Sequence, residues 1–176
     1  ERVAEAAKKV NCTHVVNVQG DEILIVPEDL KKIVQKIKSS KNINYWNAIG
    51  EIKEKNELLS FDVVKCITDL SNNVIYISRA ISNLDISKKY KLKKILGIFA
   101  YSKKALLNYK KLKKTNAFEF QSLDQSKVIE NKFTLKGIHL NNSFPGINTK
   151  QEEKMVINIL KTNKLQKNIL KKTIQS

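Results

Sequence analysis

The sequence predicts a layered α/β domain with a mixed, mainly parallel sheet and flanking helices. Three observations predict it. A short apolar run, His14-Val15-Val16-Asn17-Val18, stops abruptly at Gly20-Asp21-Glu22 and reads as a buried strand. Pro27 then opens a segment whose Leu30, Ile33, Val34 and Ile37 fall at helical spacing. From there β-rich runs and helical patterns alternate, as in a sheet covered by helices. The 176 residues suffice for one domain with a real core.

Each element has a local reason. Residues 2–10 read as the end of a helix with Val3, Ala6, Ala7 and Val10 on one side, broken by Asn11-Cys12-Thr13. The helix opened by Pro27 has Glu28 and Asp29 at its positive end and stops near Ser39-Ser40-Lys41-Asn42. Tyr45 to Ile52 reads as a strand with Trp46 packed, and Lys53 to Leu59 as a charged helix turn or loop. Asp62–Thr68 and Val74–Ser78 form a hairpin across the Asp69–Asn73 turn, where Asp and Asn tolerate the left-handed region. Ile81 to Lys94 is Lys-rich and irregular, a loop placed to cover a site. Ile95–Tyr101 is a strand, and Ser102 caps a helix carrying Ala105, Leu106 and Leu107. Residues 116–131 read as one helical segment and Phe133–Leu140 as a strand containing His139. Pro145-Gly146 marks a turn. Thr149 caps a last helix with Met155, Val156, Ile159 and Leu160 toward the core. The tail from Lys161 has no strong stripe and is expected to fray.

Composition narrows the function classes. The formal charge is +16, yet every basic residue except Arg2 and Arg79 is a lysine, spread over the whole chain. Nucleic-acid readers favour arginine for its planar fork and interleave basic residues with aromatics. The lysines therefore read as solvated faces, and no nucleic-acid partner is expected. No apolar run approaches the length of a membrane span, so no membrane partner is expected either. Cys12 and Cys66 lack metal spacing and sit in or beside apolar runs, as buried thiols in a reducing compartment do. Glu1-Arg2-Val3-Ala4-Glu5-Ala6 looks like the inside of a helix, so the chain is expected to be a fragment that lacks an N-terminal portion.

The chemistry-bearing candidate is Gln19-Gly20-Asp21-Glu22. Ligands in open α/β sheets sit outside the carboxyl ends of strands, where an Asp can hold a divalent cation beside a phosphate. An ordinary β-to-α turn with solvated acids fits the same residues. In the hairpin, Lys65 and Arg79 either point at an anion or stand as solvent-facing edge charges.

Read together, these pieces resemble the CMP-3-deoxy-manno-octulosonate synthetases, or 3-deoxy-manno-octulosonate cytidylyltransferases. The matches are Glu1-Arg2-Val3-Ala4-Glu5, the specific Val16-Asn17-Val18-Gln19-Gly20-Asp21-Glu22, and Val64-Lys65 followed by Tyr76-Ile77-Ser78-Arg79-Ala80. Leu96-Gly97-Ile98-Phe99-Ala100-Tyr101 and, more weakly, Pro145-Gly146-Ile147-Asn148-Thr149 complete the set. The resemblance implies a Rossmann-like nucleotidyltransferase fold over residues 1–161, with residues 162–176 a Lys-rich C-terminal tail. It implies a cytoplasmic, homodimeric enzyme of lipopolysaccharide biosynthesis that transfers CMP from CTP to the acid sugar Kdo and releases pyrophosphate. Mg²⁺ is the implied cofactor, and the Lys-rich segment after Arg79 would lie near the subunit contact. A related acid sugar, or a catalytically inactive relative, is the alternative.

The family's loop rich in Arg, Ser, Gly and Lys, which holds the nucleotide, would precede Glu1. Within this chain the resemblance implies a catalytic set of Asp21, Lys65 and Arg79. Substrate contacts would come from Arg2, Gln19, Arg79, Phe99 and Asp124, and the metal would be held by Asp21 and Asn148. Several positions depart from the family pattern. Ile95 replaces a His, Phe99 a Tyr, Ile23 a Pro and Asn148 a second metal Asp, while Gln121 and Asp124 fall where two spaced Glu are usual.

Overall fold

A computed structural model describes residues 2–81, 92–114, 116–147 and 149–175. The first helix, α1, spans Arg2–Lys8, and strand β1 follows at His14–Val18. Helix α2 covers Pro27–Ser39 with the proline in its first turn. Strand β2 (Tyr45–Glu51), the short helix α3 (Lys55–Leu59) and the hairpin of β3 (Lys65–Thr68) and β4 (Val74–Ser78) come next. Asp69 closes that hairpin: its carboxylate accepts the backbone N–H groups of Ser71 and Asn73, and Asn72 takes a positive φ of 61°.

Strand β5 (Lys93–Ser102) is the hub of a six-stranded sheet. Ser102 caps helix α4 (Lys103–Asn108), its hydroxyl accepting the Ala105 N–H at 3.2 Å. Helices α5 (Asn116–Gln121) and α6 (Asp124–Glu130) precede β6 (Leu135–His139). Thr149 and Glu152 form a capping box at the start of α7 (Lys150–Thr162), and α8 (Lys164–Ile174) follows.

The strand order is β4-β3-β5-β2-β6, with β1 also on β5. The sheet is mixed, but the expected parallel majority is not found among the described residues. Only β2 with β6 is parallel, while β5 runs antiparallel to β1, β2 and β3, and β3 to β4. One long strand in the middle, running against its neighbours, reverses the balance. The two faces carry separate cores. Tyr45, Ile49, Phe99, Tyr101, Leu106, Val128 and Leu135 fill one with residues from α1, α4 and α6. Trp46, Ala48, Leu96, Ile98 and Ala100 fill the other beneath Ile33 and Ile37 of α2.

Several local expectations need correction. Residues 116–131 form two helices, because Ser122 enters the left-handed region at φ 53° and turns the chain. Lys93 and Lys94 belong to β5 and not to the preceding loop; residues 82–91 lie outside the described residues. Met155 and Val34 are exposed on helices whose cores are formed by Val156 and by Ile33 and Ile37. Cys66 is fully buried as expected, whereas Cys12 is only half-buried. The tail is helical and not frayed. Asn163 caps α8, and the buried Gln166 donates its amide to Leu24 O at 2.7 Å, tying the tail to the segment that leaves the Gly20-Asp21-Glu22 turn.

Candidate functional site

The site is a gap in the edge of β5. β1 pairs with the second half of β5, from Val18 opposite Ile98 to His14 opposite Ser102. β3 pairs with the first half, with Lys65 opposite Lys94 and Ile95 N–H donating to Val64 O at 2.9 Å. β1 and β3 run in the same direction, so β1 ends where β3 begins, and Leu96-Gly97 lies between them. The carboxyl end of β1 therefore opens into a break in the sheet, the kind of place where α/β sheets bind ligands.

The turn closes this gap with its own atoms. Gln19 N–H donates to Gly97 O at 2.8 Å, and the Glu22 carboxylate accepts Gly97 N–H. A side chain at Gly97 has no room: a Cβ there would sit 2.6 Å from Gln19 Oε1 and 2.8 Å from Glu22 Oε1. On the opposite side of β5, the register with β2 slips between Asn47 and Ile49, where β5 carries the extra residues, and Leu96 has no regular strand partner. The fully buried Asn47 fills that role, its amide donating to Leu96 O at 2.8 Å while its own carbonyl accepts from Gln125 of α6 at 3.0 Å. Gln19 and Glu22 from one side and Asn47 from the other thus hold Leu96-Gly97 in place.

Asp21 sits half-buried between these anchors. Its backbone carbonyl accepts Ile23 N–H at 3.0 Å and Ile147 N–H at 3.2 Å. A Cβ at Gly146 would stand 3.5 Å from Asp21 Oδ2, so the Pro145-Gly146-Ile147 segment lies directly against the acid. This brings together the two segments expected to hold a metal, although Asn148 itself lies outside the described residues. Burial raises the Glu22 carboxyl above its ordinary value; the charge of Asp21 adds to the rise, and Gly97 N–H and Lys94 oppose it. Lys94 is itself buried and ion-paired with Glu57 of α3.

The other expected residues fall into different places. The Lys65 ammonium does not reach an open anion site. It is 1 % exposed and donates to the backbone carbonyls of Ser60 and, at 2.7 Å, Arg79. Burial pushes its pKa down, the neighbouring Arg79 charge pushes it further, and Asp62 opposes. Arg79 is half-buried. Its guanidinium lies 5.8 Å from the Phe61 ring and donates to Phe61 O at 3.3 Å, and its backbone N–H donates to Gln121 Oε1 at 3.0 Å. Phe99 belongs to the core, 6 % exposed with its ring 4.5 Å from that of Tyr101, so it does not line the turn. Asp124 accepts the Tyr109 hydroxyl at the start of α6, and Arg2 is exposed on α1.

Asn47 is not among the expected site residues, and Glu22 belongs to the candidate stretch without a role assigned to it. The signal for Asn47 was an amide in the middle of the apolar strand Tyr45-Trp46-Asn47-Ala48-Ile49, which a buried strand tolerates only with partners. Glu22 carried no signal beyond its place after Asp21.

A mixed sheet broken at the end of β1, with an acid held in the break, places the chain among the α/β folds that bind ligands at the carboxyl ends of their strands. The fold matches that of a solved CMP:2-keto-3-deoxy-manno-octonic acid synthetase complexed with CTP. The TM-score is 0.81 at 24 % identity, over 90 % of this chain and 66 % of that one. Residues 1–163 match the family model described as Cytidylyltransferase, and the chain belongs to that family.

Among its relatives, the 3-deoxy-manno-octulosonate cytidylyltransferase of Fusobacterium nucleatum is 29 % identical over 170 residues, covering 93 % of this chain and 68 % of that protein. The maize (Zea mays) protein of the same name is 30 % identical over 174 residues, covering 94 % and 57 %. The chain thus spans roughly six to seven tenths of the length of the proteins it matches.

Cytidylyltransferases generally use a divalent metal. The residues present fit one. Asp21 is a hard oxygen donor whose carboxylate has no hydrogen-bond partner among the described residues. No group of three or more His, Cys, Asp or Glu gathers among those residues. A site with one or two carboxylates, completed by substrate phosphates and water, is the usual setting for Mg²⁺.

Proposed function

We propose that the complete protein is a 3-deoxy-manno-octulosonate cytidylyltransferase, which transfers CMP from CTP to the anomeric hydroxyl of Kdo and releases pyrophosphate. The observation that carries this reading is the Gln19–Glu22 turn locked on Gly97, with Pro145-Gly146-Ile147 seated against Asp21. Relatives bearing that name support it over nearly the whole chain.

In this reading Asp21 and Asn148 hold Mg²⁺, which neutralises phosphate charge and orients the attacking hydroxyl when bound. Gln19 presents its amide to the sugar at the mouth of the gap. Arg79, braced by Phe61 and Gln121, faces the sugar carboxylate. Lys65 acts through Arg79, fixing the backbone of that residue rather than touching substrate. Positioning and charge neutralisation supply most of the rate, as is usual for phosphoryl-type transfer. The enzyme works as a homodimer in the cytoplasm. Among the described residues no helix is long and apolar enough to cross a membrane.

The test is pyrophosphate release from CTP by the complete protein with Mg²⁺ and Kdo. Release is expected only with all three present. Release with another ulosonic acid but not with Kdo moves the reading to a sister substrate, and no release with any acid sugar removes it.

A further inference from the structure

The C-terminal helices hold the Asp21 turn at two points. The segment leading into α7 donates Ile147 N–H to Asp21 O at 3.2 Å. Gln166, in the first turn of α8, donates its side-chain amide to Leu24 O at 2.7 Å. α8 covers Lys164–Ile174 and lies beyond residues 1–163, the stretch matched by the family model.

The placement of Gln166 is fixed from its own side. Asn163 ends α7, its N–H donating to Ile159 O at 2.8 Å, and its side chain then accepts Gln166 N–H at 3.1 Å to cap α8. The two helices pack against each other. Gln166 is 2 % exposed, on a helix whose four lysines are all exposed. A buried amide is tolerated where it is hydrogen-bonded, and here the acceptor is the carbonyl of an irregular segment, not of a helix or a strand. Leu24 is itself buried. Its side chain lines a small cavity with Glu22, Leu96 and Phe144, so it shares one space with the acid that locks Gly97 and with the chain running into Pro145-Gly146.

We propose that Gln166 is a positioning residue for Asp21, its amide fixing Leu24 O and so the turn that presents the Asp21 carboxylate. The inference rests on the cytidylyltransferase reading of that turn. Without the amide, Leu24 O is left buried and unpaired, and the segment from Glu22 to Leu24 shifts to recover a partner from water. The helix that reads in the sequence as a Lys-rich tail then belongs to the machinery that aims the metal-binding acid.

The test is amide hydrogen exchange on the complete protein well below its Tm, beside CTP-dependent Mn²⁺ binding followed by electron paramagnetic resonance. Gln166→Met keeps a buried side chain of similar length and removes the donor. Exchange at Ile23, Gly97 and Ile147 is expected to quicken about tenfold or more. Exchange at Gly137, whose N–H donates to Asn72 O on the far side of the sheet, stays as in the parent. Mn²⁺ affinity falls with the turn. Gln166→Glu, of the same size but with an ionised acceptor in place of the donor, gives the same pattern. Lys171→Gln, on the exposed side of α8, matches the parent throughout. The proposal is overturned if both Gln166 variants keep parent exchange at the three turn amides, or parent Mn²⁺ affinity. It is equally overturned if Gly137 quickens as much as they do, which makes Gln166 a general structural residue. If the parent itself binds no Mn²⁺ with CTP, the cytidylyltransferase reading falls, and exchange alone upholds or overturns the hold of Gln166 on the turn.

Discussion

The carboxylate of Glu22 accepts the backbone N–H of Gly97, 75 residues further along the chain, at the point where β1 leaves the edge of β5 and before β3 takes it up. A side chain here does the work of a missing strand. It also sets where Asp21 stands, because Glu22 is the next residue and Gln19 N–H donates to the carbonyl of the same glycine.

Glu22→Ala leaves Gly97 N–H without an acceptor at a half-buried position. The cost expected for such a loss is about 1–3 kcal/mol. Glu22→Gln keeps an acceptor oxygen and separates geometry from charge. The Glu22 carboxyl has a folded pKa raised above its ordinary value of 4.5, chiefly by burial. Its stabilising share is therefore fully present below the unfolded value and is lost as pH rises through the folded one. Urea denaturation from pH 4 to pH 7 should show the parent losing stability relative to Glu22→Gln across that window. A constant difference between the two proteins would refute the linkage.

Gly97→Ala tests the close approach directly. The atoms its Cβ meets are the ends of the Gln19 and Glu22 side chains, which can swing away. Stability is expected to fall by no more than about 1–2 kcal/mol, in the range for modest overpacking. Pyrophosphate release is expected to fall at least tenfold, because the displaced side chains carry the turn with them. Thermal denaturation and turnover measured on one preparation check both halves; a large loss of stability with normal turnover contradicts the prediction.

Much of this fold was legible because its signals are local. His14–Val18 is a strand bounded by its own glycine, Pro27 starts a helix, and Ser102 and Thr149 cap helices with hydroxyls that need only the next turn. The pairings of β5 were not legible, since an antiparallel and a parallel neighbour demand the same apolar residues. Lys65 reads as an anion contact or an edge charge, and Lys94 as part of a Lys-rich loop, until the carbonyls of Ser60 and Arg79, or the carboxylate of Glu57, are brought beside them from elsewhere in the chain. Gln166 shows the same limit: in a Lys-rich tail it looks like one more polar residue, and only its bond to Leu24 O makes α8 part of the structure around the turn. At the candidate site, Asp21 stands out through its strand end and Glu22 does not, because the partner of Glu22 lies 75 residues away.

Lys65→Met keeps the length of the buried stem and removes the ammonium. Ser60 O and Arg79 O then lose a donor, at a cost of about 1–3 kcal/mol. In the proposed reading Lys65 positions Arg79, so the KM for the sugar is expected to rise several-fold while kcat changes less. Denaturation and steady-state kinetics check this. A kcat collapse with an unchanged sugar KM would make Lys65 a direct participant in the reaction instead.

The thiols should separate cleanly. Burial pushes the Cys66 thiol up to about 12, with the Lys93 charge only partly opposing, and its side chain is 0 % exposed. Cys12 is half-buried at the end of the first helix. At pH 8, alkylation of the native chain followed by peptide mapping should label Cys12 and spare Cys66 until denaturant is added. Equal labelling of both in the native state would show that the β3 core opens readily.

Asp21→Asn keeps the shape of the residue on which the proposed chemistry turns. The Asp21 main-chain carbonyl still accepts from Ile23 and Ile147, so the turn and its contact with Pro145-Gly146-Ile147 should persist and the Tm should change little. What is lost is a carboxylate in a site with few others among the described residues. An amide oxygen coordinates a divalent cation without neutralising its charge, so affinity for the metal should drop sharply. In the complete protein, CTP-dependent binding of Mn²⁺ followed by electron paramagnetic resonance should weaken at least tenfold, and pyrophosphate release should fall by two or more orders of magnitude. Circular dichroism must meanwhile stay as in the parent. Normal metal binding in this variant would place the ion on other residues and remove Asp21 from the mechanism.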